Sequence, residues 1–512
     1  PLTKLEVQHR SSISAANLEL SGGLGRAANY IGSAVRTPGR FLLAGDELFK
    51  AIGYRMELQS LAYRKAYNEG LEPEAFAKRV QEILDNPPAN IRLASTDAAR
   101  YQTFTNPLGD AGQSLQKIRD QVPFGRLVVP FLRTPVNVAK YAMQRTPLAP
   151  LMPTFRADMV AGGARKDLAL ARLALGSTTM AITAGMAQQG YITGNGPVNY
   201  DARRILEMSG WKPNSILLGD TYYSISRLDP IGNILMMSAN VTEIIGQAPD
   251  EAERLDIYTA ATISVANSLT SKTWFRGFSE FIEAYASASA DPENKQNVVI
   301  KWLERMGASA IPAGVAAYTR TQDSTIRLTD GLVDKVKARL PNYSKDLPPR
   351  RNMFGEPIVL EGGLGPDMMS PIYQSKKKNN AVVDEMINNK VDIGMPRFTM
   401  DGVELSTIQY DRYVLLSAGE KMPMSLESQL SKLIKSNMYK QGASGKDGSK
   451  AFMIESYISD YRSAAKQQLL EEFPALKAEI IGEKIEGQEA FSGQPIPIAV
   501  KESLMGNLPL AE

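Results

Sequence analysis

The chain has 512 residues, 43% hydrophobic and 22% charged, and this ordinary balance excludes wholesale disorder and allows several domains. The 58 basic and 55 acidic side chains nearly cancel, which excludes a nucleic-acid coat held by net charge alone. Cysteine is absent and His9 is the single histidine, which excludes disulfides, thiolate or His-rich metal sites and Ser-His-Asp catalysis.

Helices separated by glycine and proline are predicted for the N-terminal part of the chain. Residues 1–40 are small and polar, and the segments Gly22–Gly25 and Arg36–Arg40 predict loops. Apolar residues then recur at helical spacing, and Gly70 ends the pattern, which predicts a helix over 46–69.

Two proline-rich segments, 123–135 and 345–357, cannot form regular helix, because proline lacks a backbone N–H and fixes φ. Both carry large apolar side chains, Phe124 and Phe131 in the first and Phe354 in the second. We therefore expect ordered loops that lie across helices and bury these rings.

An apolar run, Leu168–Ala187, lies near the middle of the predicted helices, and Arg172 is its only charged residue. A length of about 20 residues suits a buried helix and is also what a helix needs to span a bilayer. The small residues Gly176, Ala181 and Gly185 would let another helix approach closely in either setting. Burial against the predicted N-terminal helix or a neighbouring subunit is the favoured interpretation, and membrane entry is the alternative.

One β-hairpin is predicted after this run. Residues 215–226 alternate around Gly219-Asp220, which is a type II′ turn signal. Apolar residues at helical spacing predict further helices over 234–245, 250–269, 274–286, 295–306, 331–340, 426–438 and 454–469.

These elements predict a mainly α fold, an irregular multi-helix assembly with one small β-hairpin at 215–226 and long proline-rich ordered loops. Three regions are expected along the chain. The first (1–160) is helical with a proline-rich loop, the second (161–340) holds the apolar helix and the hairpin, and the third (341–512) holds the second loop and the C-terminal helices.

Polar residues that flank the apolar run and the hairpin are the main candidates for a polar site, namely Asp201, Arg203, Arg204, Asp220, Arg227 and Asp229. An ion-paired anchoring network is the commoner explanation for such a group. We therefore expect no catalytic residue, no cofactor and no metal ligand in this region.

Two segments suggest phosphate contacts only superficially. Gly442–Ser449 has the wrong glycine spacing for a phosphate loop and no preceding strand, so we predict an interhelix loop. Lys376–Lys378 is predicted to be a solvated basic loop, because three lysines neutralise few phosphates.

Short motifs spread along most of the chain resemble one known family. In order, they are Arg36–Arg40 with Asp46–Lys50, Pro130–Pro135 with Asn137, Ile192–Gly194 with Gly196-Pro197, Gly210-Trp211 with Pro213 and Ser215-Ile216, Arg227–Pro230 with Gly232, and Leu347–Arg351 with Gly355–Pro357. Over residues 30–480 this order is similar to the large-polyvalent-protein-associated region found towards the C-termini of very large bacteriophage and mobile-element proteins. Its candidate structural residues here are Arg133, Pro135, Trp211, Arg227, Asp229, Pro230, Pro348 and Arg350.

The resemblance implies a structural module of a bacteriophage internal virion protein, or ejection protein. Such a module anchors a giant protein in the capsid near the portal and is delivered into the host with the genome. The implied partners are the portal and other ejection proteins, with packaged DNA and the host membrane as further candidates, and several copies per virion are expected. The implied location is the capsid interior, then the host envelope or cytoplasm.

Two alternatives stay open. The chain is then either a membrane-active conduit component for DNA translocation or an accessory C-terminal domain of a virion-packaged RNA polymerase, as in Schitoviridae-type podophages. These residues carry no polymerase signature, so a polymerase activity would belong to the rest of a longer parent chain. Because Pro1 stands in place of an initiator Met, we expect the sequence to be one module of a longer chain or a processed end.

Overall fold

Most of the chain is helical in the computed structural model, which describes residues 15–16, 21–109, 112–114, 116–117, 132–197, 199–247, 311, 313–362 and 372–492. The mainly α fold predicted from the sequence is confirmed. The chain divides into two compact units. The first ends at Ser177 and also takes in Asp229–Ile231, and the second begins at Thr178 and contains the C-terminal helices.

The first unit is built on helices joined by short connections. Its elements are α1 (Gly22–Asn68), α2 (Pro73–Asp85), α3 (Ala89–Gln102), α4 (Arg133–Met143), a 3₁₀ turn (Ala149–Leu151) and α5 (Pro153–Ala161). α1 packs against α2 and α3, and a small apolar core forms from Leu58, Ala62, Ile83 and Ile91. Proline begins both α2 and α5, where its missing N–H would have no intrahelical partner.

α1 begins much earlier than the helix that the sequence predicts over 46–69. The loops expected at Gly22–Gly25 and Arg36–Arg40 are wrong, because both segments lie inside this 47-residue helix. Relative to Ala, glycine in a helix interior costs about 1 kcal/mol and proline about 3 kcal/mol. Each residue added to a formed helix gains one backbone hydrogen bond, so a long helix tolerates such local penalties.

The predicted apolar run lies in a 26-residue helix, α6 (Gly163–Gln188). The helix is long and apolar enough to cross a membrane, but only 17% of its most apolar window is buried. The described residues of this chain therefore leave most of the helix uncovered, and the predicted burial against a neighbouring subunit stays a prediction. Its apolar residues surround the helix instead of forming one stripe, so the elements packed against it cover only part of them.

The second unit holds its C-terminal helices around two apolar cores. Its helical elements are the end of α6, α7 (Tyr200–Met208), α8 (Ile231–Gln247), α9 (Ala313–Gln322), α10 (Gly331–Lys337), a 3₁₀ turn (Ser344–Asp346), α11 (Ala381–Asn388), α12 (Thr407–Ser417), α13 (Leu426–Lys435), α14 (Asn437–Lys440), α15 (Ser449–Glu472) and α16 (Pro474–Ser492). The first core includes Leu430 and Ile454, and the second includes Leu416 and Leu469. α15 contributes to both cores and so joins them.

Most helices predicted for the second unit are present with shifted ends. α8 covers the helix predicted over 234–245, and α15 covers the one over 454–469. The helix predicted over 426–438 is divided by Ser436, whose side chain accepts a hydrogen bond from the backbone N–H of Tyr439 and so begins α14. α10 ends at Lys337, three residues before the end of the helix predicted over 331–340. The predicted helices 250–269, 274–286 and 295–306 lie outside the described residues.

The predicted hairpin is confirmed and belongs to a larger sheet. The strands are β1 (Ser215–Leu218), β2 (Thr221–Ser224), β3 (Gln374–Lys376) and the separate antiparallel pair β4 (Thr399–Met400) and β5 (Val403–Glu404). Leu218 pairs with Thr221 around a two-residue turn, and Gly219 has the φ of +65° that its first position requires. β3 pairs antiparallel with β2. Lys376 is therefore a strand residue, which corrects the basic loop predicted over Lys376–Lys378.

The second proline-rich segment is an extended, paired loop. Its backbone forms antiparallel bridges at Pro349 with Arg327, at Val359 with Thr325, and between Arg351 and Pro357. Its ring, Phe354, packs against the first core of the second unit, as predicted.

Only the end of the first proline-rich segment is described. Residues 118–131, which include Phe124 and Phe131, lie outside the described part of the chain, and Arg133–Pro135 forms the first turn of α4.

Candidate functional site

A cavity of about 570 Å³ lies within the second unit. Three chain segments supply most of its lining: α7, the loop 350–359 and the segment 394–398. Its wall is partly apolar and partly charged, and cavities of this size hold small organic ligands.

α7 presents a polar face to the cavity because its apolar face enters the core. Asn199 caps the helix, and its Oδ1 accepts hydrogen bonds from the N–H groups of Asp201 and Ala202 at 2.8 and 3.1 Å. Ile205 is buried in the first apolar core. Arg204 lies beside it on the helix and lines the cavity.

The loop 350–359 is held by its own turn. Oδ1 of Asn352 accepts from the N–H groups of Phe354 and Glu356, each at 3.0 Å, and Gly355 has a φ of +83°. Nε of Arg351 donates to Asp411 at 2.7 Å. These contacts leave the neighbouring Arg350 directed into the cavity lining.

Two arginines from different segments meet at the hydroxyl of Tyr200. Nε of Arg204 and Nη2 of Arg350 donate to this oxygen at 2.9 and 3.0 Å. Arg204 also forms an ion pair with Glu207 at 2.6 Å. Burial acts to lower the pKa of Arg204, but Glu207 and Tyr200 beside it raise that pKa above its ordinary value, so the guanidinium stays charged.

The carboxylates that line the cavity are engaged by other groups. Glu207 pairs with Arg204 as described, Glu356 accepts a hydrogen bond from the Asn352 amide at 2.9 Å, and Glu361 accepts one from a backbone N–H of β3 at 2.9 Å. Asp201 lies close enough to the guanidinium of Arg462 for its charge to raise that group's pKa, against the larger lowering by burial.

Several cations of the lining differ from the carboxylates in this respect. Within the residues that the structure describes, Lys212, Arg350, Lys378 and Arg397 form no ion pair. Hydrogen bonds from neutral donors leave the charges of Glu356 and Glu361 in place, but six Lys or Arg side chains against four Asp or Glu side chains still give the lining a net positive charge.

Phe398 supplies an aromatic wall. Its ring stacks on Tyr410, with the ring centroids 3.6 Å apart and the planes 11° apart. Tyr410 is buried, its hydroxyl donates to the carbonyl of Pro396 at 3.0 Å, and burial raises its pKa to about 12. Phe398 keeps 42% of its surface exposed. Tyr410 covers one face of the ring, and Phe398 lines the cavity with part of its surface exposed.

The residues predicted from the family motifs lie in several places, and Arg350 is the one that lines the cavity. Trp211 is buried against Gly196, where an added Cβ would come within 2.5 Å of the indole ring. The guanidinium of Arg227 lies 4.6 Å from the ring centroid of Tyr373. These contacts are structural.

The remaining motif residues lie at element ends and in the paired loop. Arg133 and Pro135 are in the first turn of α4, and Asp229 and Pro230 precede α8. The carbonyl of Pro348 accepts a hydrogen bond from the N–H of Leu328 at 2.8 Å.

The polar residues expected to flank the apolar run do not all gather at one place. Asp201 and Arg204 line the cavity. Arg203 instead donates from Nε and Nη2 to the carbonyl of Pro197 at 3.1 and 2.8 Å, and Asp220 accepts from the hydroxyl of Thr221 in the hairpin turn at 2.8 Å.

Of the three small residues predicted for helix packing on α6, one lies at a close contact. Gly176 is buried, and an added Cβ would overlap the carbonyl of Arg145. Ala181 is exposed, and a Cβ added at Gly185 would meet nothing within 4 Å.

Sequence reasoning missed the cavity because its walls come from segments far apart in the chain, such as Tyr200 and Arg350, which are 150 residues apart. The pair Tyr200 and Arg204, one helical turn apart, is a weak local signal. No pattern within α7 shows that Arg350 and Phe398 complete the same wall.

Comparison of the chain with protein-family models, with curated proteins and with solved structures finds no match. The resemblance to the polyvalent-protein region therefore stays a prediction. In the part of the chain that the structure describes, no group of His, Asp and Glu side chains is placed to hold a metal ion. The chemistry that the cavity supports is the binding of an anion with an apolar or aromatic part.

Proposed function

We propose that this chain is a structural module of a bacteriophage internal virion protein, which anchors a giant protein in the capsid near the portal and enters the host with the genome. The observation that supports a docking role is α6, an apolar helix that the described residues leave mostly uncovered. A surface of this kind on a soluble protein marks an interaction site.

α6 is asymmetric around its axis. Ala169, Gly176 and Thr183, spaced seven residues apart, are buried. Leu168, Leu175 and Ile182 follow the same spacing one residue earlier and are 50%, 72% and 62% exposed. The small residues therefore pack within the chain, while the large ones form a solvent-facing stripe.

The spacing of that stripe suits another helix as the partner. Residues seven apart lie on nearly the same face of a helix and form the seam of a coiled coil. A second copy of this chain or another ejection protein could supply the facing helix, since several copies per virion are expected. The partner of this proposal is thus a protein inside the capsid.

The test uses phage that carry Leu175→Asp and Ile182→Asp together in the parent protein. Both side chains are exposed, so the fold should tolerate the change, whereas a docked seam should not accept two buried charges. We expect the protein to be depleted from purified virions, measured by quantitative mass spectrometry.

Val160→Asp is the matched control, since Val160 is 89% exposed and lies on α5. Normal incorporation and infectivity of the double variant would contradict the docking role. Loss of both variants from virions would show a general intolerance of charge instead of a seam on α6.

A second candidate, a membrane-active conduit component, is favoured by the same helix. The segment Leu168–Gln188 is about 30 Å long at roughly 1.5 Å per residue, close to the thickness of a hydrocarbon core. Arg172 is one turn inside its start, where a long side chain can reach the interface. In this fold the guanidinium of Arg172 lies 4.5 Å from the ring centroid of Tyr101.

Flotation of the purified chain with anionic lipid vesicles separates the two candidates. The conduit role predicts that the chain floats and that the double variant does not. Virions of that variant would then contain the protein but fail to deliver DNA. The capsid-docking role predicts no flotation and loss at assembly. Among the described residues, nothing favours the accessory polymerase domain.

A further inference from the structure

We propose that the cavity of the second unit binds a nucleotide, with its phosphate among the unpaired cations and its base against Phe398. The proposal goes beyond the ejection role and does not depend on it. It rests on the charge balance of the lining, on the hydrogen-bond donors around Tyr200, and on the stacked ring of Phe398 in the same lining.

The donors for a phosphate are held in place before any ligand enters. The backbone N–H of Arg350 donates to the carbonyl of Ile326 and its Nη2 donates to Tyr200, while its other guanidinium N–H groups have no partner in the described part of the chain. A guanidinium carries five such donors and matches the oxygens of a phosphate in paired hydrogen bonds. Arg350 is therefore positioned to bind an anion, because it forms no ion pair with a carboxylate among the described residues.

The hydroxyl of Tyr200 adds one more donor. Its oxygen already accepts hydrogen bonds from Arg204 and Arg350, which occupy both lone pairs. Its own hydrogen has no acceptor among the residues described here. An anion beside Arg350 would supply that acceptor.

The acidic residues of the lining cancel its positive charge only in part, because six Lys or Arg side chains stand against four Asp or Glu side chains. Glu207 pairs with Arg204, Asp201 lies near the partly buried Arg462, and Glu356 and Glu361 accept hydrogen bonds from neutral donors. Lys378 and Arg397 are exposed cations of the same lining without a carboxylate partner in the described residues. A ligand with one or two negative charges therefore improves the charge balance of the cavity.

The aromatic wall favours a planar group on the same ligand. Phe398 is backed by Tyr410 at a centroid distance of 3.6 Å, so a base on the other face would complete a three-layer stack. Bases stack on aromatic rings whatever their identity, which makes the site tolerant of the base. Met353 and Met395 complete an apolar wall beside it.

The experiment is isothermal titration of the full chain with adenosine monophosphate, adenosine and inorganic phosphate. We expect saturable binding of the monophosphate, with adenosine weaker by about 10-fold because the charge-assisted hydrogen bonds are lost. Phosphate alone should compete only weakly, because it lacks the stacked base. A 5′-phosphorylated thymidine pentanucleotide, used as competitor, shows whether the natural source is a free nucleotide or the end of a strand.

Three variants locate the binding. Arg350→Gln should weaken the monophosphate by about 10-fold, and Phe398→Leu should weaken adenosine and the monophosphate alike. Tyr200→Phe keeps the ring and removes only the hydroxyl. It therefore tests the phosphate contact if Arg350→Gln disturbs the fold. Arg55→Gln, on the exposed face of α1 in the first unit, is the matched control.

Binding that survives both Arg350→Gln and Phe398→Leu would overturn the proposal. So would equal affinity for adenosine and the monophosphate, or displacement of the monophosphate by equimolar inorganic phosphate. Absence of saturable binding by the wild-type chain would overturn it as well.

Discussion

Two long helices of this chain, α6 and α15, show that apolar content does not decide burial. α6 has the more apolar sequence, yet 17% of its most apolar window is buried. α15 carries many charged and polar residues, yet one face of it is buried at Ala451, Ile454, Ile458, Tyr461, Ala465 and Leu469. What differs is the distribution of the apolar residues around the helix.

The apolar residues of α15 recur every three or four positions, so they form one stripe that α12 and α13 can cover. Those of α6 surround its axis, and its buried stripe consists of small residues. A single neighbour cannot cover an all-round apolar surface. The described residues therefore cover only part of the apolar surface of α6.

The largest expected effect is on the free energy of unfolding, compared between one isoleucine of α15 and one of α6. Both residues lie in the second unit. Ile454→Ala removes a side chain that is 0% exposed in the first core, and it should lower the free energy of unfolding by about 2–5 kcal/mol. Ile182→Ala, at a residue that is 62% exposed, should change it by less than about 0.5 kcal/mol. Urea unfolding monitored by circular dichroism measures both, and similar losses would show that α6 is packed in solution.

The next prediction compares two glycines of α6, one at a close packing contact and one facing open space. Gly176→Ala would drive a methyl group into the carbonyl of Arg145, and we expect a loss of about 1–3 kcal/mol. Gly185→Ala meets open space and should stabilise the helix by up to about 1 kcal/mol. Thermal unfolding of the two variants checks this, and a neutral Gly176→Ala would contradict the close contact.

A smaller effect concerns the polar end of α15 and depends on pH. Hydrogen bonds from Arg412 and Lys421 lower the pKa of Glu472 to about 2. The folded state therefore favours the carboxylate, so its stabilisation is present above the ordinary value of 4.5 and is lost as pH falls towards about 2.

Glu472→Gln should cost about 1 kcal/mol at pH 7, a value kept small by solvent screening of this partly exposed pair. The difference from wild type should shrink as the pH falls below 4.5. Glu471→Gln, at the exposed neighbouring carboxylate, is the control for a general charge effect. A difference that is constant from pH 7 to pH 3 would show that the ion pair is not its source.

The smallest expected effect is at Ala181, on the exposed side of α6. Ala181→Asp should change the free energy of unfolding of the purified chain by less than about 0.5 kcal/mol, because the new charge stays in water. Denaturant unfolding measures this. A large loss in the purified chain would show that this side of α6 is covered, for example by self-association.

Local patterns predicted those parts of the fold that depend on neighbours in sequence. Gly219 supplies the positive φ that a two-residue hairpin needs, so its turn was recognisable without any tertiary information. The helices α8 and α15 were likewise visible from apolar spacing. The start of α1 was not, since helix cooperativity overrode the local effects of glycine and proline.

Local patterns predicted almost nothing of the candidate site. Arg204 was noticed as one of several flanking charges, and Arg350 as part of a family motif. Their meeting at the hydroxyl of Tyr200, and the stacking of Phe398 on Tyr410, join segments far apart in the chain. Local periodicity does not predict contacts between segments that are far apart in the chain.

By itself, the sequence determined the mainly α class, the hairpin and the positions of most described helices, because backbone hydrogen bonding and side-chain spacing act over a few residues. Only the tertiary structure decided that α6 stays mostly exposed and that paired carboxylates and unpaired cations share one cavity. Both depend on which side chains of distant segments come into contact. Burial and charge pairing are properties of those contacts, and the order of residues along the chain does not specify them locally.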